Sequence, residues 1–189
     1  DVLKRSMGKQ DHYAAAYGNF NVLTFNPDES VLVEPVCYRQ DTKDALQKNL
    51  MLFYTNLQRD SSVILKEQEN KTEEKRNNLR ATMKLVDPLR DILSSRGDIN
   101  EFGMLLNENW HLKREITDGI STNEIDQYYE KALAAGAIGG KLLGAGGGGF
   151  LLFYTEDKYK KSISKALKDL YYLPVGFDTG GTRITYYDE

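Results

Sequence analysis

Residues Gly139 to Gly149 read Gly-Gly-Lys-Leu-Leu-Gly-Ala-Gly-Gly-Gly-Gly, seven glycines in eleven positions. Successive glycines present backbone N–H groups with no Cβ in the way, which is what close approach to a phosphate requires. No Gly-Lys-Ser/Thr follows, so the run is not a Walker loop. It leads into the apolar stretch Phe150-Leu-Leu-Phe-Tyr154 and not into a helix, so it is not a dinucleotide fingerprint either. A tight hairpin that needs glycine only for its turn is the alternative. Four consecutive glycines exceed what a turn demands and carry a chain-entropy cost, which favours a ligand-facing loop. The other residues able to do chemistry are scattered: His12 and His111 are isolated, and Cys37 is the single cysteine, so no His/Cys metal cluster and no intrachain disulfide is expected. Trp110 fits a core better than a sugar platform.

The elements that must position these residues follow from the apolar spacing. Phe20 to Phe25 and Ser30 to Val36 are short β-rich runs around Asn26-Pro-Asp-Glu29, a hairpin pattern. After the polar stretch Arg39 to Lys48, Leu50-Met-Leu-Phe-Tyr54 has the length of a buried strand. Asp60 to about Arg96 reads as one long helix or two, with Leu79, Met83, Val86, Leu89 and Leu93 in register and Pro88 as the point of kink or division. Gly97 ends that element, and Asp98 with Glu101 caps the next, whose apolar side is Phe102, Leu105, Leu106 and Trp110. Ser121-Thr-Asn-Glu124 has capping-box spacing ahead of a helix ending near Gly136. Strands flank the glycine run, Asp157 to Leu170 reads as a helix, and Val175-Gly-Phe177 with Arg183 to Tyr187 reads as strand, turn, strand. The pattern predicts an α+β fold, an antiparallel sheet covered by helices, with a domain boundary near residue 40.

Bulk composition sets limits on partners. Apolar residues are 40% and charged residues 28% of the 189, as in an ordinary globular protein. A formal charge of -3 gives no electrostatic reason to hold nucleic acid. No apolar run nears the length of a membrane span, and Asp1-Val-Leu-Lys-Arg5 lacks the apolar stretch of a signal peptide, so a cytoplasmic location and no membrane partner are expected. The absence of an initiator Met suggests a fragment.

Gly136-Ala-Ile-Gly-Gly-Lys-Leu-Leu-Gly-Ala-Gly-Gly-Gly-Gly-Phe150 closely resembles the third conserved motif of the GHMP kinases, the superfamily of galactokinase, homoserine kinase and mevalonate kinase. Gly8-Lys-Gln-Asp-His-Tyr-Ala-Ala-Ala-Tyr-Gly18 looks like that superfamily's catalytic-aspartate segment. Within it the likeness runs to the kinases of D-glycero-D-manno-heptose 7-phosphate, through Phe53 to Ser61, Trp110 to Arg114 and Gly119 to Asp126. His12 departs from the Gln expected after the family's aspartate.

The resemblance implies a ferredoxin-like C-terminal domain over residues 41–189 and, over 1–40, the end of an S5-like N-terminal domain. It implies phosphoryl transfer from ATP, with Mg2+, to a sugar phosphate hydroxyl, giving heptose 1,7-bisphosphate. Asp11 falls on the position that accepts or directs the hydroxyl proton, a role open to a carboxylate ionised at neutral pH. Lys9, Arg59 and Lys113 are the cations expected to hold the sugar phosphate, with Lys141 a further candidate; Gly144, Ala145, Gly146, Gly147, Gly148 and Gly149 form the phosphate loop. The family's ATP loop, Pro-x-x-x-Gly-Leu-Gly-Ser-Ser, occurs nowhere in these 189 residues. The expectation is therefore a C-terminal half that is inactive alone and self-associates or docks with an N-terminal half. The rival reading is a non-catalytic ligand-binding or regulatory module derived from such a kinase.

Overall fold

The structure, a computed structural model, describes residues 8–57, 61–95 and 97–187. A helix, α1 (Lys9–Tyr17), opens it, followed by the antiparallel hairpin of β1 (Asn21–Phe25) and β2 (Val31–Pro35). Then come α2 (Gln40–Asn49), β3 (Leu50–Tyr54), α3 (Ser61–Asn70), α4 (Arg76–Lys84), α5 (Val86–Ser94), α6 (Asn100–Arg114) and α7 (Asn123–Ala134). The chain closes with β4 (Gly139–Leu142), β5 (Phe150–Tyr154), a 3-10 turn (Asp157–Tyr159), α8 (Lys160–Ala166) and β6 (Tyr171–Leu173).

The four later strands form one sheet in the order β4-β5-β3-β6, every neighbouring pair antiparallel. With helices between β3 and β4 and between β5 and β6, this is the β-α-β-β-α-β ferredoxin-like arrangement, as the family resemblance implies. Its two central strands read as unbroken apolar runs because both of their faces are covered. Met51, Phe53, Leu151 and Phe153 meet Trp110, Ile125, Tyr129 and Ile163 on one face. Leu50 and Tyr154 meet Leu46, Leu93 and Leu106 on the other, where Phe20 and Val22 of the hairpin also pack. Trp110 lies in the first of these cores with no exposed surface.

Helix α6 lies unusually close to edge strand β4. A Cβ on Gly139 would stand 2.0 Å from the Gly103 carbonyl oxygen, and one on Gly103 would stand 2.6 Å from the Tyr154 ring. Only glycine at both positions allows this approach. It brings the polar side of α6 alongside the strand that leads into the glycine run.

Several expectations are corrected. The described residues 61–95 hold three helices, not one or two: a mostly charged turn at 71–75 separates α3 from α4, and α4 ends at Lys84, whose carbonyl Pro88 has no N–H to bond. Helix α7 is capped by Thr122, whose Oγ1 accepts from Ile125 N at 3.3 Å, whereas Ser121 donates to Asp126 instead. Residues 175–187 form no strand. Asn19 N donates to Asp178 O at 2.8 Å and Thr182 N to Ala16 O at 3.2 Å, so the end of α1 takes up backbone groups that a ladder would have used. Polar α1 and α2 lack an apolar stripe, and their periodicity gives no helical signal.

Candidate functional site

The last turn of α6 and the β4–β5 loop meet at Lys113, and the first turn of α1 holds Asp11 within electrostatic reach of it. The Lys113 Nζ donates to the Gly144 carbonyl at 2.5 Å. Burial pushes the Lys113 pKa below the ordinary lysine value, and the carboxylate of Asp11 partly restores it. Lys141, on β4, sends its Nζ to Asn109 Oδ1 at 2.5 Å. Its pKa is pushed down to about 8, first by burial and then by the like charge of Lys113. Among the described residues neither lysine forms an ion pair. Two ammonium groups are thus gathered near a single exposed carboxylate, and an incoming anion would relieve their mutual repulsion.

The loop is laced to the protein on two sides. Gly147 N donates to Ile120 O at 2.9 Å and Gly149 N to Leu57 O at 3.0 Å, while Gly149 O accepts from both Thr55 N and Thr55 Oγ1 at 2.9 Å. Gln68 Nε2 reaches Ala145 O at 3.3 Å. A Cβ on Gly148 would lie 2.3 Å from Leu57 O, and one on Gly146 would lie 2.7 Å from Ile120 Cα. Close packing, and not ligand approach, is therefore enough to require glycine at those two positions. Gly144 differs, since nothing lies within 4 Å of where its Cβ would stand. The amides of Gly144, Ala145, Gly146 and Gly148 donate to no acceptor among the described residues.

Of the residues singled out from sequence, Lys113 bonds the loop at Gly144, and Lys141 and Asp11 lie within electrostatic reach of Lys113. Lys9 does not join them: it lines a shallow pocket of about 290 Å³ against the hairpin turn, with Phe25, Asn26 and Glu29. Arg59 lies outside the described residues. Sequence reading missed Asn109, Gln68 and the Ile120 carbonyl. Asn109 lies four residues before Lys113 on the same helix, so a helical-face count from Lys113 could have found it; a backbone carbonyl leaves no such trace. A cleft of about 450 Å³ lies beyond α6 and is lined by His111, Arg114, Asp118 and Asp126, not by the loop. Among the described residues no three His, Cys, Asp or Glu side chains gather to hold a metal, and no helix is long and apolar enough to cross a membrane.

Residues 77–173 match the family model described as GHMP kinases C terminal. A D-glycero-alpha-D-manno-heptose 7-phosphate kinase of Campylobacter jejuni is 29% identical over 163 residues, 85% of this chain and 48% of the relative. A mevalonate kinase of Pyrococcus abyssi is 34% identical over 87 residues, 45% of this chain and 26% of the relative. The crystal structure of a D-glycero-D-manno-heptose 1-phosphate kinase from Bacteriodes thetaiotaomicron superposes with a TM-score of 0.67 at 26% identity, covering 98% of this chain and 52% of the other. The chain spans about half the length of the first and third of these.

Proposed function

The chain belongs to the GHMP kinases, and from that membership we propose that it is the C-terminal half of an ATP-dependent sugar kinase acting on D-glycero-D-manno-heptose 7-phosphate. The observation that carries this reading is the placement of Lys113, which donates to the glycine loop at Gly144 and feels the charge of Asp11. One ammonium group thereby ties the proposed proton acceptor to the proposed phosphate loop. The 29% identity to a heptose 7-phosphate kinase over most of the chain supports that substrate class.

Bound ATP supplies the phosphoryl group. The residues present fit its transferring end: among the described residues two lysines form no ion pair, and several loop amides have no protein acceptor. They do not fit a magnesium ion held by this chain alone, and no step here is assigned to one. In the proposed reaction Asp11 accepts or orients the proton of the sugar hydroxyl as its oxygen bonds to the γ-phosphorus of ATP and the bond from that phosphorus to the bridging oxygen breaks, releasing ADP. Lys113 and Lys141 offset the negative charge gathered on the transferring oxygens, and the loop amides hold those oxygens in place.

On the same reading, residues 1–40 complete a first domain and 41–189 form the second. The exposed Phe25 and Leu32 of the hairpin then lie where the rest of that first domain docks. The test is a 31P NMR comparison of heptose 7-phosphate, galactose and mevalonate as acceptors with the kinase that carries this chain. A new anomeric phosphate resonance with the heptose alone is expected. Preference for either other acceptor would overturn the substrate assignment.

A further inference from the structure

Arg114 ends α6 one residue after Lys113 and engages a different set of partners. Its Nη1 donates to Asp126 Oδ1 at 2.9 Å, and its guanidinium carbon sits 5.7 Å from the centre of the buried Trp110 ring. The same Asp126 oxygen accepts from Ser121 Oγ at 2.7 Å. Ser121 directly follows Ile120, whose carbonyl holds Gly147 N at 2.9 Å and whose Cα limits how close Gly146 can come. A continuous path therefore runs from the end of α6 through the start of α7 and the segment between them to the far side of the glycine loop. Lys113 holds the near side at Gly144. The loop is gripped from both sides by adjacent residues of one helix.

We infer that Arg114 is a positioning residue: through Asp126 and Ser121 it fixes the Ile120 carbonyl, and so the placement of the glycine loop relative to Lys113. The network does little for the core, since the Arg114 and Asp126 side chains are 26% and 41% exposed, and such pairs add little global stability. Its geometry is nonetheless restrictive. A carboxylate oxygen shared between a guanidinium and a hydroxyl, with the guanidinium over the face of an indole, defines one orientation of the 120s segment. Loop placement matters because an error of about 1 Å far from the chemistry can reduce turnover by about a hundredfold.

The role in turnover rests on the kinase reading, but the mechanical link does not, and the two can be tested apart. Amide hydrogen exchange would be followed by NMR in the 15N-glycine-labelled 189-residue chain, in wild type, Arg114→Ala, Ser121→Ala and Ser121→Thr. The two alanine variants should accelerate Gly147 exchange by about five- to thirtyfold, as expected for a local opening made easier by the loss of one network contact. Gly149, held by Leu57, and Gly136, held by Leu133, should keep their wild-type rates, and Ser121→Thr should stay near wild type. If Arg114→Ala does not fold, Ser121→Ala decides. An unchanged Gly147 rate, or equal acceleration of all three amides, overturns the inference. In the active kinase the alanine variants should lower kcat with little change in sugar KM. Selective loosening of Gly147 in a protein that phosphorylates no sugar would defeat the kinase reading and leave the positioning role standing.

Discussion

Asp11 and Lys141 make opposite demands on charge, and each yields a measurable consequence. Asp11→Asn removes the proposed proton acceptor but keeps the side-chain shape. Turnover should fall by about two to four orders of magnitude while sugar and nucleotide affinity change little; near-normal turnover would take Asp11 out of the reaction. For Lys141 the pKa is lowered from 10.5 to about 8. Between those values the unfolded chain binds a proton that the folded chain has released, so this group makes stability rise with pH from about 8 to 10.5. Below pH 8 both states are protonated and the burial penalty is present in full. Lys141→Met should therefore change Tm, relative to wild type, more favourably at pH 7 than at pH 10; the same difference at both would show that charge burial is not the cause. Both residues were legible in the sequence only because a long motif surrounded them. An isolated Asp in a polar segment, or a Lys before a leucine pair, gives no signal of its own. Asn109 and the Ile120 carbonyl were not legible, because their importance comes from contacts across elements and not from their own neighbours in sequence.

The elements were read best where apolar residues recur on a clear period. Strands β3 and β5, the hairpin, and helices α6 and α7 fall where the spacing placed them, within a residue or two at the ends. The C-terminal segment misled because Val175 and Phe177 look like strand residues but, half-buried, pack singly against the second core. In the glycine run, sequence alone could not divide the glycines by role. Gly148 is fixed by the 2.3 Å overlap its Cβ would make with Leu57 O, whereas Gly144 has open space and a φ of +80°. Gly148→Ala should thus cost about 1–3 kcal/mol through overpacking against rigid backbone. Gly144→Ala should cost only the strain of its positive φ, about 1 kcal/mol. Thermal unfolding would rank the pair, and a larger loss at Gly144 would contradict the packing described.

At the scale of the molecule, one sheet has cores on both faces, and α6 runs along its edge carrying Asn109, Lys113 and Arg114 toward the loop. The alternation of strands and helices up to β5 was legible from their patterns, while the ferredoxin-like arrangement was implied by the family resemblance and the last strand was expected too late in the chain; the packing of the hairpin and the C-terminal tail beside α1 was not legible, since it depends on contacts between the two ends of the chain. The proposed site is an acceptor-side assembly with no recognisable triphosphate loop among these residues. Phosphoryl transfer is mainly positioning and charge neutralisation, so half of that apparatus should not suffice. The most direct measurement is 31P NMR of ATP and heptose 7-phosphate with the 189-residue chain alone, and again with the chain in a verified complex with the part of the Campylobacter jejuni relative that it does not cover. No product from the chain alone, a bisphosphate from the complex, and its loss in Asp11→Asn are predicted. Product from the chain alone, no transfer by the verified complex, or equal transfer by the Asp11→Asn complex would contradict the account.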